Sequence, residues 1–312
     1  MLTQKAVLPL PAFSTSSLDL PRVSRYLHYY QLDFKQQGLC DQQAFGGIDC
    51  DQYHIAAHHF AVKQAKGTVL YLHGYLDHIG SHHKIIRDLL DQQFNVISFD
   101  LPGHGLSSGI PAAIDHFDDY QQTLKWVLQS LQPLINSPLH IMGHSTGAAI
   151  AMHYVFTTKN QPFKSQMLLA PLVEPCRFNL IKLGLRFVPY FTQTIQRDFS
   201  ATTQDPKAHF FIQYQDSLQC QKIHISWLQA LRKWQQQFNG FTQITTPTLM
   251  IQAEADQTVN WKKNSAKIAA KCIQLESKII KKAKHHLPLE TDSYYSQVVS
   301  TLKLFLKRQS TI

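Results

Sequence analysis

Ser145 stands in Gly143-His144-Ser145-Thr146-Gly147, a G-x-S-x-G stretch with the apolar run PLHIM before it and AAIAMHYVF after it. That context is a buried strand turning sharply into a helix. Such a turn forces the serine backbone into a strained conformation and lifts its hydroxyl out at the strand's C-terminal edge. Small residues at the flanking positions avoid collision. The helix N-terminus behind it favours developing negative charge. The chemistry this suits is nucleophilic attack by a serine, which requires a base, and the base requires an acid to orient it. An ordinary surface serine in a tight turn explains neither flanking run.

In enzymes built on this turn, acid and base follow the serine in chain order. Downstream, TPTLMIQ leads into AEADQTVN, where Glu254 and Asp256 compete as the acid. The residue at the strand end is held by the sheet, so the loop position favours Asp256. Near the C-terminus, KKAKHHLPLE sets His285 beside His286. Adjacent side chains diverge, so one of the two faces Ser145. An oxyanion hole needs two backbone N–H groups. Thr146, after the nucleophile, supplies one. The loop His73-Gly74-Tyr75-Leu76-Asp77-His78 supplies the other through Tyr75.

The elements that must position these residues are legible as apolar runs of strand length. They are YHIAAHHFAV (53–62), GTVLYLHG (67–74), NVISFD (95–100), PLHIMG (138–143), SQMLLAP (165–171), PTLMIQ (247–252) and KIIKKA (278–283). Continuous apolar runs suit strands covered on both faces. Helical patterns alternate with them, which implies an α/β architecture with a parallel sheet. The alternation fails between 172 and 240, where aromatic-rich helical sequence takes over at a length no plain crossover needs. The predicted organisation is a leader at 1–40, a core at 41–171 and 241–312, and a helical cap at 172–240.

A length of 312 residues with 44% hydrophobic residues is enough for one large core. The net charge of +9 reads as a solvated basic face, with peripheral contact to an anionic membrane as the functional alternative. No basic–aromatic interleaving marks a nucleic-acid module, so no nucleic-acid partner is expected. Five cysteines without a CxxC suit free thiols in a reducing compartment. No run of 18 apolar residues exists, and the N-terminal stretch is broken by Pro9 and Pro11, so neither a membrane span nor a signal peptide is expected. The expected location is cytoplasmic. His58-His59 and His82-His83 lack the spacing of a zinc site, and no metal or cofactor is expected. His73 and His104, in Gly-flanked turns, are expected to hold backbone.

LHGYLDHIG, FDLPGHGLSSG, GHSTGAA, AEADQTV and AKHHLPLE occur in an order that resembles the α/β-hydrolase family. The resemblance covers roughly residues 50–305 and is nearest to monoacylglycerol lipases and bacterial lysophospholipases, the serine aminopeptidase-like hydrolases. It implies an α/β-hydrolase fold, a mostly parallel central sheet with helices on both faces and a helical cap insertion. It implies Ser145 as nucleophile, Asp256 as acid and His285 as base, with no cofactor. The residue after that histidine is often Glu in the family; here it is His286. It also implies monoacyl lipid esters as substrates, with small esters or thioesters as the alternative. Phe187, Tyr190, Phe191, Phe210, Phe211, Trp227 and Trp234 then either line an acyl tunnel or form the cap's own core. A peptidase of the aminopeptidase type would need a carboxylate in the cap, where Glu174, Asp198, Asp205 and Asp216 are the acids. Dehalogenases and epoxide hydrolases would carry Asp in place of Ser145. A binding-only member would be expected to lack a catalytic residue.

Overall fold

A computed structural model describes residues 2–310. Its central sheet has eight strands. In chain order these are β1 (Gln42–Cys50), β2 (Tyr53–Ala61), β3 (Thr68–Leu72), β4 (Asn95–Phe99), β5 (Leu139–His144) and β6 (Phe163–Leu169), then, beyond a separate β7 (Thr194–Gln196) and β8 (Lys222–His224), β9 (Thr248–Ala253) and β10 (Leu275–Ile280). The spatial order is β1-β2-β4-β3-β5-β6-β9-β10. β2 pairs antiparallel with both β1 and β4, and the remaining pairs are parallel. The C-terminal ends of β3, β5, β9 and β10 therefore open on one edge, where ligands bind in sheets of this kind.

The helices are α1 (Pro21–Tyr29), α2 (His83–Asp91), α3 (Phe117–Ser130), α4 (Thr146–Thr157), α5 (Phe178–Gly184), α6 (Pro206–Phe210), α7 (Ile225–Gly240), α8 (Trp261–Ala269) and α9 (Asp292–Ser310). Strand side chains alternate between two cores. Val69 and Tyr71 of β3 join α1, α2 and α9 on one face. Leu70 and Leu72 join α3, α4, α7 and α8 on the other. Among the described residues, no helix is long and apolar enough to cross a membrane.

Three features depart from the sequence expectations. β1 escapes the pattern because QQAFGGIDC carries two glycines and few β-formers. Gly46, at φ 150°, lets the leader cross so closely that a Cβ there would lie 2.6 Å from the Ala12 carbonyl oxygen. β10 starts three residues before KIIKKA, because an edge strand with exposed Glu276, Ser277 and Lys278 shows no apolar run. The region 172–240 holds β7 and β8, a three-residue antiparallel pair too short to leave an alternation in sequence. Residues 2–40 lie against the core, burying Val23, Tyr26, Leu27, Leu32 and Phe34.

The sharpest packing constraint sits at the start of α4. A Cβ on Gly147 would lie 2.3 Å from the Leu72 carbonyl oxygen and 2.6 Å from that of His73. One on Gly143 would lie 2.2 Å from the Gly147 carbonyl carbon. Backbone has no rotamer with which to yield, so Gly147→Ala is expected to destabilise the fold by about 1–3 kcal/mol in urea melts. Wild-type stability would show that the helix start can shift.

The core also takes in histidines. Burial pushes His58 down to about 3 and His59, His104, His140 and His153 to about 4. Each stays neutral when folded but binds a proton when unfolded below its ordinary value of about 6.5, so its stability is lost as pH falls. A shift from 6.5 to about 4 withdraws about 2 kcal/mol per histidine by pH 5. His78 acts oppositely. Burial alone would lower it, but Asp216, 2.8 Å away, lifts it to about 9. Its contribution is full below pH 6.5 and fades as pH rises through 9. Urea melts across pH should show a steep loss of stability from pH 6.5 to 4.5 and a shallower one through pH 9, the latter abolished by His78→Gln. A flat acid limb would contradict neutral burial of these rings.

Candidate active site

Ser145 follows β5 and caps α4 with φ 53° and ψ −110°, a conformation a non-glycine residue adopts only when its surroundings impose it. The imposing contacts are the Gly143 and Gly147 approaches above, together with the Ser145 amide donating to the Leu169 carbonyl at 2.9 Å. Its Oγ lies 2.9 Å from His285 Nε2. His285 Nδ1 lies 2.7 Å from Asp256 Oδ2. The other Asp256 oxygen accepts from the amides of Thr258 (2.8 Å) and Val259 (3.0 Å), which fixes the carboxylate in its loop. The His285 Nδ1–H is thus directed at Asp256, leaving Nε2 to accept the Ser145 proton.

The two competitors stand elsewhere. Glu254 is exposed at the end of β9 and accepts from the Lys282 amide at 3.0 Å, tying the turn after β10. His286 Nε2 donates to Asp77 Oδ2 at 2.8 Å, and its amide donates to the Thr202 carbonyl at 2.8 Å. His144, inside the G-x-S-x-G turn, donates from Nε2 to the His285 carbonyl at 3.0 Å, so nucleophile turn and base loop are joined directly.

The loop after β3 comes close to the serine: a Cβ on Gly74 would lie 3.3 Å from Ser145 Cβ. Tyr75 follows. Its ring stacks on Trp227 of α7 at 3.6 Å, and its hydroxyl donates to the Ala112 carbonyl at 2.7 Å. Thr146 is the first residue of α4, so its amide has no carbonyl within the helix to bond. Both amide-bearing residues line the cavity that holds Ser145. His73 and His104 serve backbone: His73 donates to the Gly74 carbonyl at 2.7 Å and accepts from the Leu101 amide at 2.9 Å, and His104 donates to the Pro102 carbonyl at 2.8 Å.

A buried polar network behind the site went unseen in the sequence. Asp77 accepts from His82 (2.8 Å), His286 (2.8 Å), Ser81 (2.6 Å) and Gln219 (2.8 Å). Burial alone would raise its carboxyl. The charge of His82 and the bonds from His286 and His82 outweigh that and hold it well below the carboxylate range. Ligand atoms of Asp77, His82 and His286 lie within 4.8 Å of one another, a spacing a cation could use. Both histidines already hydrogen-bond to Asp77, and Tyr71 bonds His82 Nδ1 at 2.8 Å. The other half of the network is Asp216, which bonds His78 at 2.8 Å and Tyr30 at 2.7 Å. The adjacency of Asp77 and His78 is visible in sequence, but besides the local Ser81 and His82 their partners Asp216, Gln219 and His286 lie 138 to 209 residues away.

The cavity measures about 1130 Å³. Leu172, Ile181, Ile212, Trp227, Leu228 and Trp261 supply its apolar wall. Of the seven aromatics singled out between 187 and 234, Trp227 alone lines it. Trp234 is buried against Phe117 at 4.9 Å, and Phe211 packs on Tyr29 and Tyr30. Phe187, Tyr190, Phe191 and Phe210 are exposed and do not line the cavity, so they neither face Ser145 nor form a buried core.

Residues 63–292 match the model of the family described as serine aminopeptidase, S33. An uncharacterized abhydrolase domain-containing protein of Dictyostelium discoideum is 27% identical over 201 residues, 61% of this chain and 21% of that protein, so the chain spans about a fifth of that relative's length. A monoglyceride lipase homolog of Monkeypox virus is 25% identical over 247 residues, 77% of this chain and 89% of the viral protein. The fold is similar to that of a soluble variant of monoglyceride lipase from Saccharomyces cerevisiae solved with a substrate analog. The TM-score is 0.73 at 17% identity, covering 84% of this chain and 94% of that one. The chain has the α/β-hydrolase fold and belongs to the serine aminopeptidase S33 family.

Proposed function

We propose that the protein is a serine hydrolase that cleaves carboxylic esters of monoacyl lipids, monoacylglycerols or lysophospholipids, through an acyl-enzyme. The observation that carries this reading is the continuous hydrogen-bonded line from Ser145 through His285 to Asp256, opening into a cavity with an apolar wall. His285 takes the Ser145 proton as Oγ attacks the ester carbonyl. The amides of Tyr75 and Thr146 receive the oxyanion. Asp256 holds the imidazole tautomer and stabilises the imidazolium. His285 then returns the proton to the leaving alcohol, and water repeats the sequence on the acyl-enzyme.

Substrate class rests on the cavity wall and on the monoglyceride lipase likeness of the viral relative. The cap carries exposed Leu180, Leu183, Phe187, Tyr190 and Phe191, an apolar surface suited to approaching a lipid phase. We place the cap at 172–240 and the leader at 1–40, as the chain order of elements suggests. The peptidase reading is weaker because most cap acids are committed. Glu174 pairs with Lys263 (2.7 Å) and Lys267 (2.6 Å), Asp205 caps α6, and Asp216 bonds His78. Only Asp198 of these four lines the cavity.

Hydrolysis of p-nitrophenyl esters of increasing acyl length is expected to favour medium or long chains. A sharp preference for acetate would remove the lipid reading. His285→Ala should abolish turnover, lowering kcat by at least about 1000-fold, as expected for loss of a triad base. His286→Ala should weaken it by about 10-fold, since the base loop loses only a brace. The reverse order in kcat would reassign the base.

A further inference from the structure

Arg197, just after β7, lines the cavity that contains Ser145. Its Nη1 donates to the carbonyls of Leu76 (3.1 Å) and Cys220 (3.1 Å) and to Gln219 Oε1 (2.8 Å), while its guanidinium lies over the Phe199 ring at 4.5 Å. All three acceptors are uncharged. Among the described residues, Arg197 forms no ion pair, and its Nε and Nη2 make no hydrogen bond. The nearby carboxylates are engaged: Asp77 by His82 and His286, and Asp216 by His78. A half-buried guanidinium with two idle donors against a cavity is poorly compensated, because such a group normally finds a carboxylate or phosphate to bind in two places.

The surroundings share that sign. Arg177 and Lys262 line the same cavity, against a single exposed carboxylate, Asp198. Leu76, whose carbonyl Arg197 holds, follows Tyr75, so the guanidinium sits beside the loop expected to receive the oxyanion. Ile181, Ile212 and Leu228 line the same cavity with apolar side chains. One chamber is therefore lined by both apolar side chains and a cation held by hydrogen bonds.

We infer that Arg197 builds an anion subsite that selects monoacyl esters carrying a phosphate on the alcohol part over uncharged monoacylglycerols. This rests on the ester-hydrolase reading above. Arg197 is a specificity residue: Nε and Nη2 take phosphate oxygens while Nη1 stays on the Leu76 carbonyl.

The test uses the full chain in neutral-detergent mixed micelles, with lysophosphatidic acid and monoacylglycerol of the same acyl chain. Wild type is expected to favour the phosphate-bearing lipid in kcat/KM by about 10- to 100-fold, the worth of a charge-assisted pair. Arg197→Gln should collapse that ratio, mainly through KM, and Arg197→Lys should keep part of it. Glycerol phosphate should compete with p-nitrophenyl ester hydrolysis by wild type and lose this effect in Arg197→Gln. An equal fall for both lipids with the ratio intact would overturn the inference and leave Arg197 as a tie between insertion and loop. If Arg197→Gln does not fold, absence of glycerol phosphate inhibition in wild type overturns it as well. Turnover of p-nitrophenyl acetate but of neither lipid would fail the lipid reading alone, and the inhibition arm would still decide the subsite.

Discussion

Everything at the proposed centre depends on how closely α4 passes beneath β3. The Gly147 Cα lies so near the Leu72 and His73 carbonyls that no side chain fits between them. That approach lets β5 turn into α4 within one residue and holds Ser145 at φ 53° with its hydroxyl raised above the sheet edge. A larger residue at either flanking glycine would push the helix away and relax the turn. The hydroxyl would then no longer stand 2.9 Å from the imidazole. The strain is local, and its compensation is spread through the packing of α4, whose residues from Thr146 to Val155 are all buried.

A second constraint keeps the loops around Ser145 in register with one another. Asp77, itself in the loop that carries Tyr75, accepts hydrogen bonds from Ser81 just beyond that loop, from His286 beside the proposed base and from Gln219. His144 adds a direct tie from the serine turn to the His285 carbonyl. Removing one member of a buried network of this kind is costly, because its partners are left unpaired in a low-dielectric interior. The histidine beside the proposed base therefore acts through Asp77 and does not face the serine.

Much of this was legible from residue types and order. The central strands are continuous apolar runs, and the chemistry-bearing motifs sit at their C-terminal ends, so motif context and chain order point to Ser145, Asp256 and the His285-His286 pair, the family resemblance selects His285, and the three lie within hydrogen-bond reach in the fold. What stayed hidden has physical reasons. β1 is glycine-rich because the leader crosses it, and β10 is polar because it forms an edge. Asp216 reaches His78 across 138 residues, a pairing that no local pattern encodes. The exposed aromatics between 187 and 210 could not be told from the buried ones, since burial of short helices follows from how they dock and not from periodicity.

The central claim is that Ser145 is a nucleophile activated by His285. Reaction with a fluorophosphonate followed by peptide mass spectrometry tests it most directly. The account predicts a single adduct on the peptide containing Ser145, absent from Ser145→Ala and strongly slowed in His285→Ala. Absence of an adduct from a folded wild-type protein, or an adduct on another residue, would contradict it.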